Sequence, residues 1–156
     1  MSTAELRQVA NEYVAVAKRF KRCGFGGVEL HGAHGYLITQ ILSPWSNRRT
    51  DDYGGSLENR IRFVREVAEA IRQTCGDDFV IGLKMPGDEG VTGGIDPDEA
   101  ARITAALARP GLLDYFAYSQ GNFTLSLENH APDMHFRRGH SSTSIRRCDS
   151  RRPACQ

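Results

Sequence analysis

The chain lacks any run of roughly 18 apolar residues, so no bilayer-spanning helix is expected. It also lacks a basic stretch leading into an apolar core, so no secretory signal is expected. Cysteine is scarce: Cys23, Cys75, Cys148 and Cys155 form neither a CxxC pair nor a regular spacing. That pattern excludes a disulfide framework and fits a cytoplasmic protein with reduced thiols. Charge of one sign is lacking too, since a net of +1 argues against a dedicated nucleic-acid binder. The balance hides an asymmetry. Residues 137–156 hold six arginines against one aspartate, a net of +5, which leaves the first 136 residues at −4.

What is present is ordinary globular composition, 156 residues with 40% hydrophobic and 25% charged. Leu6, Val9, Ala10, Tyr13, Ala17 and Phe20 recur at helical spacing, Ser2 and Glu5 fit a capping box, and Gly24 is the stop. Gly27–His31 alternates as a strand does, and a long irregular stretch is expected over residues 32–57. A second helix is predicted from Glu58 to Cys75, with Ser56 as N-cap and Gly76 at its end. Phe79–Met85 reads as the second strand. Asp96-Pro97-Asp98-Glu99 opens a third helix that stops before Pro110, and Leu113–Tyr118 is the third strand.

The order αβαβαβ requires parallel strands, covered by helices, in a doubly wound sheet or a (β/α)8 barrel. Parity favours the barrel. Gly27, Glu29 and His31 share one face of the first strand, and Val80, Gly82 and Lys84 one face of the second. Each strand thus has an apolar face for helices and a second face ending in a basic residue. In a barrel that second face points inward, and active sites lie at its C-terminal end. A whole barrel takes about 200 to 250 residues or more. Three strands are expected to be part of one, with sheet edges open to self-association.

Chemistry concentrates in Glu29-Leu30-His31-Gly32-Ala33-His34-Gly35-Tyr36-Leu37. Three alternatives are open here. One histidine capping a strand end needs no function. Glu29, His31 and His34 could bind a metal, as in a barrel hydrolase, although His-x-x-His on a turn is not the spacing of a helical zinc motif. The third alternative is a pair of imidazole donors gripping one substrate oxygen, with Tyr36 as general acid. The Asn47–Gly55 stretch, with Asp51 and Asp52 among its arginines, reads as a structured loop rather than a basic patch. Carboxylates at Asp88-Glu89-Gly90 are expected to be solvated.

The segments GFGGVELHGAHGYL and LSPWSNRRTDDYGGSLENRIRFVREV closely resemble the fourth strand, loop and helix of the old yellow enzyme family, which includes NADH:flavin oxidoreductases and 2,4-dienoyl-CoA reductases. FVIGLKM resembles that family's fifth strand and LDYFAYSQG its sixth. The resemblance covers about residues 4–136 and implies an α/β fold, a partial (β/α)8 TIM barrel from helix 3 to strand 6, incomplete at both ends. It implies FMN and NAD(P)H as cofactors, His31 and His34 as the substrate-oxygen pair, and Tyr36 as proton donor to the α-carbon. Lys84 stands where the family usually has an arginine beside the flavin pyrimidine, which keeps the charge but not the planar fork. The strands that supply most of the FMN site are not matched, so a fragment without full activity is expected. The substrate implied is a small α,β-unsaturated carbonyl. The alternatives are an N-methylated amine, handled by a demethylase or amine dehydrogenase of the same family, and a non-catalytic remnant. Residues 1–136 are expected to form the barrel piece. Residues 137–156 are expected to be a basic tail, disordered or translated out of frame.

Overall fold

The computed structural model describes residues 1–127, so the tail at 137–156 lies outside the described residues. Its elements are α1 (Thr3–Arg22), β1 (Gly27–His31), α2 (Leu37–Leu42), α3 (Leu57–Cys75), β2 (Val80–Asp88), α4 (Pro97–Leu107) and β3 (Tyr115–Gln120).

Local chemistry sets most of these boundaries. Ser2 and Glu5 form the expected reciprocal box: Glu5 N–H donates to Ser2 Oγ at 3.2 Å, and Ser2 N–H to Glu5 Oε2 at 2.6 Å. Ser56 caps α3 through the Asn59 N–H at 3.2 Å, and Asp96 caps α4 through the Glu99 N–H at 2.7 Å, with Pro97 in the first turn. Gly76 ends α3 with a φ of 82°, a left-handed conformation open to glycine.

Three boundaries differ from expectation. The stretch 32–57 is not all irregular, because α2 occupies its middle. β2 runs on to Asp88 through Pro86 and Gly87, with a register irregularity between Pro86 and Asp88. β3 begins at Tyr115 because the Asp114 carboxylate takes the place of a ladder acceptor. Its Oδ2 accepts the Ile81 N–H at 2.7 Å, while Asp114 N–H donates to Ile81 O at 2.9 Å.

The three strands form one parallel sheet in the order β1-β2-β3, and β1 and β3 are its edges among the described residues. All the helices among the described residues cover one face. Leu30, Ile81, Leu83 and Met85 point into that layer and are buried, as are Ile61, Val64, Val67, Ala68 and Ile71 of α3 and Ile103 and Leu107 of α4. Burying each of these Val, Leu, Ile and Met side chains stabilises the fold by roughly 1.5–3 kcal/mol. α1 and α4 pack on either side of α3. Helices on one face only, in strict βα succession, are the layout of a (β/α)8 barrel and not of a doubly wound sheet.

The opposite face is layered as a barrel interior is. Glu29, Gly82 and Tyr115 share one level, and His31, Lys84 and Ala117 the next. A Cβ on Gly82 would lie 2.2 Å from Tyr115 Cζ, so the tyrosine ring lies across the glycine and reaches Glu29, to which its hydroxyl donates at 3.0 Å. Burial, and then the neighbouring Glu29 carboxylate, raise the Tyr115 pKa above the ordinary phenol value.

The long β1–α3 connection is structured. Asn47 is buried, and its Nδ2 donates to Ile41 O and Tyr53 O at 2.6 and 2.7 Å. Asp51 accepts from Arg49, from Thr3 Oγ1 at 2.9 Å and from Tyr53 N–H at 3.2 Å, tying this loop to the start of α1. The Arg49 guanidinium holds the Asp51 carboxyl far below the usual carboxylate range, with Thr3 and Tyr53 adding to the effect.

Candidate active site at the C-terminal end of the sheet

β1 ends at His31, and the turn that follows carries His34 and Tyr36. The backbone of Gly32 continues the ladder, its N–H donating to Lys84 O at 2.7 Å. No side chain fits at Gly32, since a Cβ there would lie 2.8 Å from Ile38 Cγ2 and 2.9 Å from Lys84 O. His34 and Gly35 then take left-handed conformations, φ 62° and 84°, which reverse the chain into α2. Buried Thr39 holds the turn from beneath: its hydroxyl donates to Gly32 O at 2.9 Å and accepts the Gly35 N–H at 3.3 Å. Gln40 Nε2 adds a bond to Gly35 O at 2.9 Å.

This turn brings three rings together. The His31 ring centroid lies 5.3 Å from that of His34 and 5.3 Å from that of Tyr36. Tyr36 is 51% exposed and stacks on Phe123, with centroids 5.4 Å apart and planes 17° from parallel. Lys84 faces His31 across the ladder on the uncovered face, half-buried. His31, His34, Tyr36 and Lys84 therefore share one end of the sheet. Imidazoles so placed can donate to a common acceptor, and a phenol beside them can move a proton.

Glu29, the third partner of a metal reading, lies one layer lower and accepts from Tyr115. Among the described residues no group of three or more His, Cys, Asp or Glu could hold a metal ion. No helix among the described residues is long and apolar enough to cross a membrane.

The far wall of the site carries no local sequence signal. Phe123, Asn122 and Ser126 come from the segment after β3, where nothing short of the tertiary contact marks them. Glu89 departs from expectation as well. The expectation of a solvated carboxylate fails because Glu89 is wholly buried beneath the turn. There it accepts from Ser43 Oγ at 2.6 Å, Ile95 N–H at 3.0 Å and Asn122 Nδ2 at 2.7 Å. Three donors satisfy a carboxylate that water does not reach.

The sequence matches the NADH:flavin oxidoreductase / NADH oxidase family over residues 1–143. It is 43% identical over 112 residues to an N,N-dimethylglycine/sarcosine dehydrogenase of Chromohalobacter salexigens, covering 72% of this chain and 16% of that protein. It is 46% identical over 100 residues to an NADPH dehydrogenase of Clostridium acetobutylicum, covering 64% of this chain and 30% of that protein. Among solved structures, histamine dehydrogenase from Rhizobium sp. 4-9 superimposes with a TM-score of 0.73 at 36% identity, over 79% of this chain and 18% of that one. The chain thus spans between 16% and 30% of the length of these relatives.

Proposed function

This chain belongs to the NADH:flavin oxidoreductase / NADH oxidase family, and we propose that it serves an FMN- and NAD(P)H-dependent reduction of α,β-unsaturated carbonyl compounds. The observation that carries this reading is the convergence of His31, His34 and Tyr36 at the C-terminal end of a barrel-type sheet.

In this mechanism His31 and His34 donate to the substrate carbonyl oxygen, drawing electron density from the conjugated double bond. Tyr36, about half of whose surface is open to solvent, delivers a proton to the α-carbon. FMN, when bound, supplies the hydride taken up at the β-carbon, after recharging by NAD(P)H.

The described residues fit one edge of that cofactor. The layer below is closed by Tyr115 reaching across Gly82 to Glu29. The layer above holds a cation, Lys84, flanked by small Ala117 and by His31. A flat ring with an electron-rich edge suits this arrangement. Lys84 would hold that edge by charge, without the two-pronged geometry that an arginine gives.

A second reading is oxidation of an N-methylated or primary amine, the class named for two of the relatives. The stacked Tyr36–Phe123 pair would offer a π-face to a cationic substrate. That reading gives the two imidazole donors no carbonyl conjugated with the reacting bond to polarise, so it stands second. The two separate on product analysis: a cyclic enone should be consumed with FMN and NAD(P)H supplied, and dimethylglycine should be left intact when offered with oxidised FMN and an added electron acceptor in place of NAD(P)H. The reverse pattern would establish the amine reading instead.

A further inference from the structure

We propose that Glu89 is a positioning residue of this site, holding Asn122 so that the segment after β3 fixes the His34 turn and the ring of Tyr36. The idea rests on reading His34 and Tyr36 as the substrate-facing groups.

Glu89 and Glu99 are both buried acids. Glu99 is matched by charge, pairing with Arg60 and Arg102. Glu89 is matched instead by three neutral donors, each from a different segment: Ser43 after α2, Ile95 before α4 and Asn122 after β3. A carboxylate that only closed its own turn would need Ile95 alone, and the backbone already closes that turn, with Glu89 N–H donating to Ile95 O at 2.6 Å. The bonds to Ser43 and Asn122 join loops that have no local need of each other.

Asn122 passes the constraint on. Ser126 Oγ donates to Glu89 O at 2.6 Å and accepts the Asn122 N–H at 2.8 Å, a second link between the same two segments. The Asn122 Oδ1 accepts the Thr124 N–H at 2.9 Å, which sets its amide so that Nδ2 faces Glu89. Its side chain lies against Gly35, where an added Cβ would come within 2.7 Å of Oδ1. The next residue, Phe123, donates its N–H to His34 O at 3.1 Å and stacks its ring on Tyr36. Asn122 and Phe123 therefore link Glu89 to His34 and Tyr36, two of the groups assigned to substrate.

Glutamine cannot replace this glutamate without conflict. Oε2 takes Ser43 and Ile95, and Oε1 takes Asn122. An amide nitrogen in either place would face a donor, the Ile95 N–H or the Asn122 NH2.

The test is NMR of the isotope-labelled chain, following the nuclear Overhauser contact between the Tyr36 and Phe123 rings and the His34 ring resonances. Glu89→Gln should lose the ring contact and shift His34, while core methyls such as Ile61 and Ile103 keep their positions. Asn122→Ala should reproduce that loss, and it decides the matter alone if Glu89→Gln does not fold. Ser43→Ala, which leaves the Asn122 link intact, should lower the melting temperature with the ring contact retained. A Tyr36–Phe123 contact that persists in folded Glu89→Gln or Asn122→Ala overturns the proposal, because Glu89 would then be structural only. The readout needs no turnover, so a chain that responds as expected yet reduces no enone refutes the function and not this role.

Discussion

His31 and Lys84 are direct register partners in the parallel β1–β2 ladder, on the face that no helix among the described residues covers. A histidine assigned to substrate and a cation assigned to the cofactor are thus held by the same backbone hydrogen bonds. Their spacing follows from sheet geometry rather than from flexible loops.

The role of Lys84 makes the first prediction. Lys84→Met should weaken FMN binding by about tenfold to a hundredfold, the loss of one charge-assisted contact of roughly 1.5–3 kcal/mol. Lys84→Arg should retain binding. Titration monitored by quenching of flavin fluorescence measures both. Equal affinity in the methionine variant would remove Lys84 from the cofactor site.

Arg60 makes the second. It is buried on α3, donates to Leu42 O at 2.9 Å and to Gly55 O, and pairs with Glu99 of α4. It joins the end of α2 to two further helices. Arg60→Ala leaves two carbonyls without this donor and Glu99 with only Arg102, whose side chain is 67% exposed. A loss of about 3 kcal/mol is expected, since breaking one side of a buried pair strands the other. The guanidinium chloride midpoint measures it, and a change under about 0.5 kcal/mol, typical of a surface site, would contradict it.

The third concerns pH. Asp51 is held ionised in the folded chain by Arg49, Thr3 and the Tyr53 N–H, whereas in the unfolded chain it titrates near the ordinary value of about 3.9. A folded pKa below the unfolded one gives stability that is present above about pH 4 and lost as the pH falls from there toward the folded value. The gap in melting temperature between wild type and Asp51→Asn should therefore be constant near neutrality and narrow steadily below about pH 4. A gap that does not change between pH 6 and pH 2.5 would show that the carboxylate contributes no charge-dependent stability.

Much of this architecture was legible in the sequence because its signals are local. Ser2 with Glu5, Ser56, and Asp96 with Pro97 satisfy the orphan amides of their own helices, so their positions alone locate three helix starts. Alternation in Gly27–His31 and Val80–Lys84 assigned the two faces, since one residue of slip would reverse them. α2 was not legible. Six residues give less than two turns of periodicity, and its cap, Tyr36, makes no side-chain capping bond. The second strand was expected to end at Met85, but it continues through Pro86 and Gly87 to Asp88 with an irregular register. Glu89 was the largest misreading. Nothing local marks a carboxylate whose partners, Ser43 and Asn122, lie far away in sequence.

The most direct test of the account is reduction of 2-cyclohexenone in deuterated water, with FMN and NADPH supplied, comparing wild type with Tyr36→Phe. Phenylalanine keeps the ring that stacks on Phe123 and removes only the acid. The account predicts cyclohexanone carrying one deuterium on the α-carbon, formed about a hundredfold or more slower by the variant. Equal rates in the two proteins would contradict it, as would no consumption of enone by a protein that, without NADPH, oxidises an N-methylated amine with an added electron acceptor.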